Sequence, residues 1–247
     1  ARRLPGEQEM KPAVTVCMAT YKRPDLAVGA VRSVLAQTFR DFELLVGIGA
    51  NDGTLQALQK LADSRMTVFY WPEVEWPKVW DELFAMAKGD YIALIHDDDF
   101  YEPEFLQTLV AGFDGDPMKY AFTATGFQHL HRNGTRTLSS NNGFWMMTVL
   151  YSNHHMKALR KRDGFVWNPA RRYFPEADLF VRLKALGVPH RQVGGNLYVY
   201  RTYTSHYQGV VKRFLVFLEY VDCYRGQLTY LDTVRGFVLM WRYMLKR

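Results

Sequence analysis

Tyr91-Ile92-Ala93-Leu94-Ile95-His96-Asp97-Asp98-Asp99 is the stretch on which the fold turns. Its five leading apolar residues match the length of a strand buried on both faces. The run stops on three consecutive carboxylates. In a parallel sheet, ligands bind beyond the carboxyl ends of the strands. The triplet is therefore a candidate site as well as a stop signal. Three crowded carboxylates repel one another unless a cation or strong donors offset their charge. Oxygen ligands select hard divalent ions such as Mg²⁺ or Mn²⁺. Such an ion bridges phosphate oxygens of a nucleotide and neutralises a departing diphosphate. Taken alone, a solvated loop or a helix-capping cluster explains the triplet equally well.

Upstream of this stretch the pattern alternates strand and helix. Residues 13–19 form an apolar run with Val14 and Val16. Pro24 and Asp25 open a helical spacing of Leu26, Val28, Val31, Val34 and Leu35. Residues 42–48 read as a second strand, 49–53 as a loop, and Leu55, Leu58 and Leu61 as a second helix. A third strand is expected at 66–71 and a third helix at 79–88 capped by Gly89. Downstream, Pro103 falls where a first helical turn tolerates proline, ahead of Phe105, Leu106, Leu109 and Val110. The alternation predicts a parallel sheet with right-handed crossovers. The second half is less regular. It shows a strand pair around Asn133-Gly134 and a short basic helix at 156–162. An amphipathic helix follows at 176–186, ended by Gly187, then a strand at 191–201 and a helical pattern from 207 onward.

The chain has 247 residues, enough for one compact body with an appendage. Hydrophobic residues make up 48% and charged residues 23%, which excludes a disordered, collagenous or coiled-coil chain. The formal charge of +6 suits anionic ligands, but no recognition motif accompanies it, so nucleic acid is not an expected partner. Two cysteines, Cys17 and Cys223, make no disulfide framework and no zinc spacing. Residues 1–12 carry no apolar run of the signal-peptide kind, and no window of about 18 apolar residues appears. The expected location is the cytoplasm, with the inner face of the membrane as an option.

Two further constellations carry chemistry. Ala19-Thr20-Tyr21-Lys22-Arg23-Pro24 follows the first strand and so lines the same crevice as the triplet. There Arg23 suits a phosphate and Tyr21 suits stacking on a base. An ordinary strand-to-helix turn with a surface arginine is the plainer account. Pro175-Glu176-Ala177-Asp178-Leu179-Phe180-Val181-Arg182-Leu183 puts Glu176 and Asp178 in a first helical turn, where the helix dipole favours a carboxylate. Residues two apart point in different directions, so only one of them is expected to face a cleft.

Together these elements resemble the family 2 glycosyltransferases. The resemblance is carried by residues 14–24, by Ser33-Val34-Leu35-Ala36-Gln37-Thr38-Phe39 with Phe42-Glu43-Leu44-Leu45-Val46, and by Asn51-Asp52-Gly53-Thr54. Ala87-Lys88-Gly89-Asp90-Tyr91-Ile92 and Asp97-Asp98-Asp99-Phe100-Tyr101-Glu102-Pro103 complete it in the expected order. It is strong over about residues 13–113, looser through 201, and absent beyond. It implies a GT-A fold, α/β and Rossmann-like. The sheet would be mixed but mostly parallel, flanked by helices, with a helical C-terminal extension. The implied division is 1–12 as an N-terminal extension, 13–113 as the nucleotide-sugar half, 114–206 as the acceptor half and 207–247 as the helical extension.

The resemblance also implies an inverting transfer from a nucleotide-diphosphate sugar to a hydroxyl of a glycan, polysaccharide or lipid-linked acceptor, with Mn²⁺ or Mg²⁺ as cofactor. By position, Asp98 matches the metal-binding aspartate, Asp97 lies toward ribose and metal, and Asp99 supports the site. Ala19, Thr20, Tyr21 and Arg23 match the nucleotide-binding turn, and Lys78 is a candidate for phosphate. Glu176 falls at the position of the base, with Asp178 as second choice. His206 lies where the family has a segment closing over the diphosphate, and is a candidate to complete the metal shell.

Three positions depart from the pattern: His96 stands where an aspartate is common, and Gly47 and Ile48 replace an aspartate pair that recognises base and ribose. They leave UDP unassumed and keep a catalytically silent nucleotide- or glycan-binding module as the alternative. Trp76, Trp80, Trp145 and Trp167 suit either sugar stacking or a core. Residues 212–247 hold seven basic against three acidic residues with aromatics at helical spacings, which fits either peripheral membrane contact or packing on the body.

Overall fold

The computed structural model describes residues 11–72, 76–139, 148–171 and 175–202, with backbone only at 76–77 and 175–177. The expected helical extension, His206, Trp145 and Cys223 lie outside these residues, as does the side chain of Glu176.

The elements run β1 (Val14–Thr20), α1 (Pro24–Leu35), β2 (Phe42–Ile48), α2 (Thr54–Gln59), β3 (Met66–Tyr70), α3 (Trp76–Met86), β4 (Tyr91–His96), β5 (Phe100–Tyr101), α4 (Phe105–Ala111), β6 (Phe122–Leu130), β7 (Arg136–Leu138), β8 (Val149–Ser152), α5 (Asn153–Asp163), α6 (Pro175–Lys184) and β9 (Arg191–Arg201). The described strands form one sheet in the order β3-β2-β1-β4-β8-β6-β9-β5, with β7 on β6. β1 is buried at all seven positions because it lies between β2 and β4 and is covered on both faces, as its unbroken apolar run predicts.

Strand direction places the site. β1, β2, β3 and β4 pair in parallel. β8 is antiparallel to both β4 and β6, so two reversals bring β6 back to the direction of β4. β9 then runs parallel to β6. Six strands therefore send their carboxyl ends to one edge, which is the sense in which the sheet is mostly parallel. The sheet is continuous across residue 113, because β5 from the first half pairs with β9 from the second.

The local physics matches the pattern readings for most elements. α1 begins with proline at its first turn and buries Ala27, Ala30, Val31 and Val34 on one face. Gly53, at a φ of 89°, opens α2, and Asp52 Oδ1 accepts from the Thr54 amide, so Asp52 forms the turn. Trp80 and Trp167 are buried against each other and against Phe84, which makes them core aromatics rather than sugar platforms.

Several expectations are corrected. Gly89 does not cap the third helix, which ends at Met86. A β-carbon at Gly89 would lie 2.6 Å from the Thr15 nitrogen and 2.7 Å from the Val14 carbonyl carbon. Glycine is required there because two backbones meet. Pro103 lies outside α4, whose N-cap is Glu104, because the preceding residues are drawn out to pair with β9. The short strands β5 and β8 leave no pattern in the sequence, since two and four residues carry too little periodicity.

Gly89→Ala is expected to destabilise the protein by about 1–3 kcal/mol, because the obstructing atoms are backbone and cannot swing aside. Urea unfolding checks this: the midpoint falls while the slope is unchanged.

Candidate active site

The turn after β1 breaks two local rules at once. Lys22 adopts a left-handed φ of 56°, a conformation that non-glycine residues seldom take. Arg23, at φ −143° and ψ 55°, is the N-cap of α1 but makes no side-chain cap. Its guanidinium goes to the acidic triplet instead. Arg23 Nη1 donates to Asp98 Oδ2 at 2.8 Å and to Asp97 Oδ1 at 3.3 Å. Thr20 Oγ1 donates to Asp97 Oδ2 at 2.8 Å. β1 and β4 are in register, with Ala19 opposite His96, so this turn and the triplet emerge side by side.

Asp99 is fully buried and tied to β9. Tyr198 donates its hydroxyl to Asp99 Oδ2 at 2.6 Å, and the Arg201 amide donates to Asp99 Oδ1 at 2.9 Å. His96 Nδ1 lies 3.5 Å from Asp99 Oδ2. One ligand atom each from His96, Asp98 and Asp99 falls within a mutual 4.8 Å, a spacing that suits a metal ion.

The electrostatics follow from burial and crowding. Burial raises the Asp97 carboxyl above its ordinary pKa, with Asp98 adding to the rise and Thr20 and Arg23 opposing it. Burial disfavours the His96 imidazolium. The hydrogen bond with Asp99 and the field of all three carboxylates outweigh that cost and raise its pKa. Tyr198 is held well above its usual value, first by burial and then by the charge of Asp99, so it stays a hydrogen-bond donor. Burial likewise pushes up the Cys17 thiol, which is inert.

Beyond the triplet, Tyr21 is 56% exposed, and its ring carbon Cδ2 would lie 3.1 Å from a β-carbon at Gly49. A β-carbon at Gly47 would meet Val79 Cγ1 at 2.8 Å and Trp71 at 3.3 Å, so the place of the expected aspartate is filled by side chains from neighbouring elements. Ile48 is buried. Lys78 is exposed in α3, one residue before Val79.

At α6, Asp178 accepts from Arg182 Nε at 2.6 Å and from Asn168 Nδ2 at 3.0 Å, with Arg171 Nε at 3.7 Å. Arg182 also reaches Asp163 and the Val166 carbonyl. This network pins the helix start to the segment before it. Glu176 is the second residue of α6.

Thus the structure brings Ala19, Thr20, Arg23, Asp97, Asp98 and Asp99 to one strand edge. Tyr198 and the Arg201 amide join them unforeseen, because nothing in a strand sequence marks which tyrosine meets a distant aspartate. His96, a departure from the family pattern, stands at the same strand end beside Asp98 and Asp99.

A sheet of this direction, with a charged site where β1 and β4 end, has the fold of solved GT-A glycosyltransferases. A mannosyltransferase from Pyrobaculum calidifontis, solved with GDP-Man and Mn²⁺, superposes with a TM-score of 0.67 at 13% identity, covering 94% of this chain and 70% of that one. Staphylococcus aureus TarS, solved with UDP-GlcNAc, superposes at 0.61 with 14% identity, covering 94% and 71%. A glucosyl-dolichyl phosphate glucuronosyltransferase of Haloferax volcanii is 28% identical over 119 residues, 47% of this chain and 38% of that protein. Curated relatives are matched over only 22% to 38% of their own length. The family described as Glycosyl transferase family 2 matches residues 15–172, and the chain belongs to it.

Tyr198→Phe removes a hydrogen bond to a buried carboxylate and is expected to lower stability by about 1.5–3 kcal/mol. Tyr101→Phe, which loses a bond to the Leu94 carbonyl rather than to a charge, is expected to lose less, about 0.5–1.5 kcal/mol. Parallel urea titrations of the two variants check the difference.

Proposed function

We propose that this glycosyltransferase is metal-dependent and inverting, and moves a hexose from a nucleotide-diphosphate sugar to a hydroxyl of a glycan, polysaccharide or lipid-linked acceptor. The observation that carries this reading is the meeting of His96, Asp98 and Asp99 ligand atoms within 4.8 Å at the carboxyl end of β4. The donor set fits Mn²⁺ or Mg²⁺, with the imidazole inclining it toward Mn²⁺. Asp98 and His96 would hold the ion. Asp99, already accepting from Tyr198 and the Arg201 amide, would orient the pair. The ion would supply charge stabilisation to the leaving diphosphate.

The chain's own residues do the rest. Thr20 and Arg23 set the orientation of Asp97, which faces the ribose side, and Arg23 and Lys78 offer charge to phosphate oxygens. Tyr21 offers an exposed ring to the nucleobase. Glu176 takes the proton of the acceptor hydroxyl as its oxygen bonds to the anomeric carbon. The bond from that carbon to the diphosphate breaks on the opposite face, and the diphosphate leaves with the bonding electrons. Asp178, with both oxygens engaged, holds the turn that presents Glu176 and is the weaker candidate for base.

Support for the donor class comes from the bound GDP-Man and UDP-GlcNAc of the two solved neighbours, and for a lipid-linked acceptor from the dolichyl phosphate in the Haloferax relative's name. A lipid-linked acceptor agrees with work at the inner face of a membrane. Among the described residues no helix is long and apolar enough to cross one.

A panel of nucleotide sugars with Mn²⁺, scored for turnover and thermal shift, tests the reading. Binding without turnover across acceptors would instead favour a silent binding module. Asp98→Ala is expected to abolish the metal-dependent part of donor binding, read by calorimetry with and without chelator. Glu176→Gln is expected to leave donor binding intact and lower kcat about a hundredfold or more. Full activity in Glu176→Gln with a dead Asp178→Asn would reverse the assignment of the base.

A further inference from the structure

We propose that Arg23 is a resident counter-cation that competes with the divalent ion for Asp98, so that the ion binds weakly alone and tightly only with a nucleoside diphosphate. The inference rests on the metal-dependent reading above and adds an order to it.

One carboxylate is asked to serve two cations. Asp98 Oδ2 accepts from Arg23 Nη1 at 2.8 Å, and an Asp98 oxygen belongs to the cluster with His96 and Asp99. The pair is sheltered, with the Arg23 side chain 16% exposed and that of Asp98 11%. Solvent and salt therefore screen it weakly. The guanidinium reaches both Asp97 and Asp98, so it offsets the charge of the triplet.

The local backbone is arranged for this contact rather than for helix stability. α1 has arginine at a position that favours serine, threonine, aspartate or asparagine, and goes without a side-chain cap. The turn before it accepts a left-handed lysine. Such breaches of local preference mark places where another constraint governs.

A divalent ion on Asp98 and His96 would set two further positive charges beside the guanidinium, and the like charges disfavour that arrangement. A diphosphate removes the conflict, because its oxygens accept both from the fork of Arg23 and from the ion. Asp97 does not lose its place when Arg23 turns away, since Thr20 holds its other oxygen. Ion and diphosphate are then coupled through Arg23, and the coupling is reciprocal.

The test titrates Mn²⁺ into the full chain, counting free ion by electron paramagnetic resonance, without nucleotide and with UDP or GDP. Arg23→Gln is expected to bind Mn²⁺ alone at least tenfold more tightly than the wild type. The factor by which diphosphate tightens Mn²⁺ is expected to fall at least tenfold. Arg23→Lys, which keeps the charge, stays within threefold of the wild type for Mn²⁺ alone. Equal or weaker Mn²⁺ binding by Arg23→Gln overturns the inference. If that variant does not fold, wild-type chemistry decides: saturating Mn²⁺ should raise phenylglyoxal modification of Arg23 severalfold, and added diphosphate should suppress it. An unchanged rate overturns the inference. Failure of the wild type to take Mn²⁺ even with diphosphate removes the metal-dependent reading as well. Tight wild-type binding with diphosphate and no gain in Arg23→Gln removes only this inference.

Discussion

Three adjacent carboxylates at the end of a buried strand form a concentration of negative charge that must be balanced before the fold can close over it. Each member of the triplet has a different answer. Asp97 is held by a hydroxyl and a guanidinium from the β1 turn. Asp98 shares that guanidinium. Asp99, fully buried, takes a phenol and a backbone amide from β9. An isolated buried carboxylate would protonate or unfold its surroundings. The donors therefore belong to the architecture as much as to the chemistry, and they join the first strand, the fourth and the ninth at a single point.

That junction explains why the irregular second half matters. β8 runs against β4 and β6, and those two reversals let β6 and β9 finish at the same edge as β1 and β4. A single reversal would have carried the end of β9 to the far side, leaving Asp99 without Tyr198 or the Arg201 amide. The small strand β5 reinforces the arrangement. It follows the triplet immediately and pairs Phe100 with Val199 and Tyr101 with Tyr198, fixing the register in which the phenol meets the carboxylate.

The first half was legible because β1, β2 and β4 are buried on both faces and α1 keeps a clean apolar stripe. Periodicity is a local signal, and here local and global preferences agree. The mixed half was legible in its longer pieces, the hairpin at Asn133-Gly134, the helices at 156–162 and 176–186 and the strand Arg191–Arg201. Strands of two and four residues exist through their partners rather than through their own pattern. Gly89 shows the same limit from the other side. Its sequence context is that of a helix cap, but its reason is the backbone of β1 lying against it, a contact 74 residues away. The site divided in the same manner. Acidic residues at a strand end announce themselves, whereas Tyr198 is one of two tyrosines in its strand and acquires meaning only from the pairing of β9.

The triplet and the start of α6 are built on opposite principles. At the triplet, the charged groups are few, crowded and shared, so that removing one partner alters several others. At α6 the reverse holds. Asp178, Arg182, Asp163, Asn168 and Arg171 form a satisfied network behind the helix start. Its charges are neutralised among themselves and ask nothing of a ligand. A carboxylate engaged at both oxygens is a good anchor for the helix start. Glu176, two residues earlier in the chain, belongs to the helix turn that this network fixes.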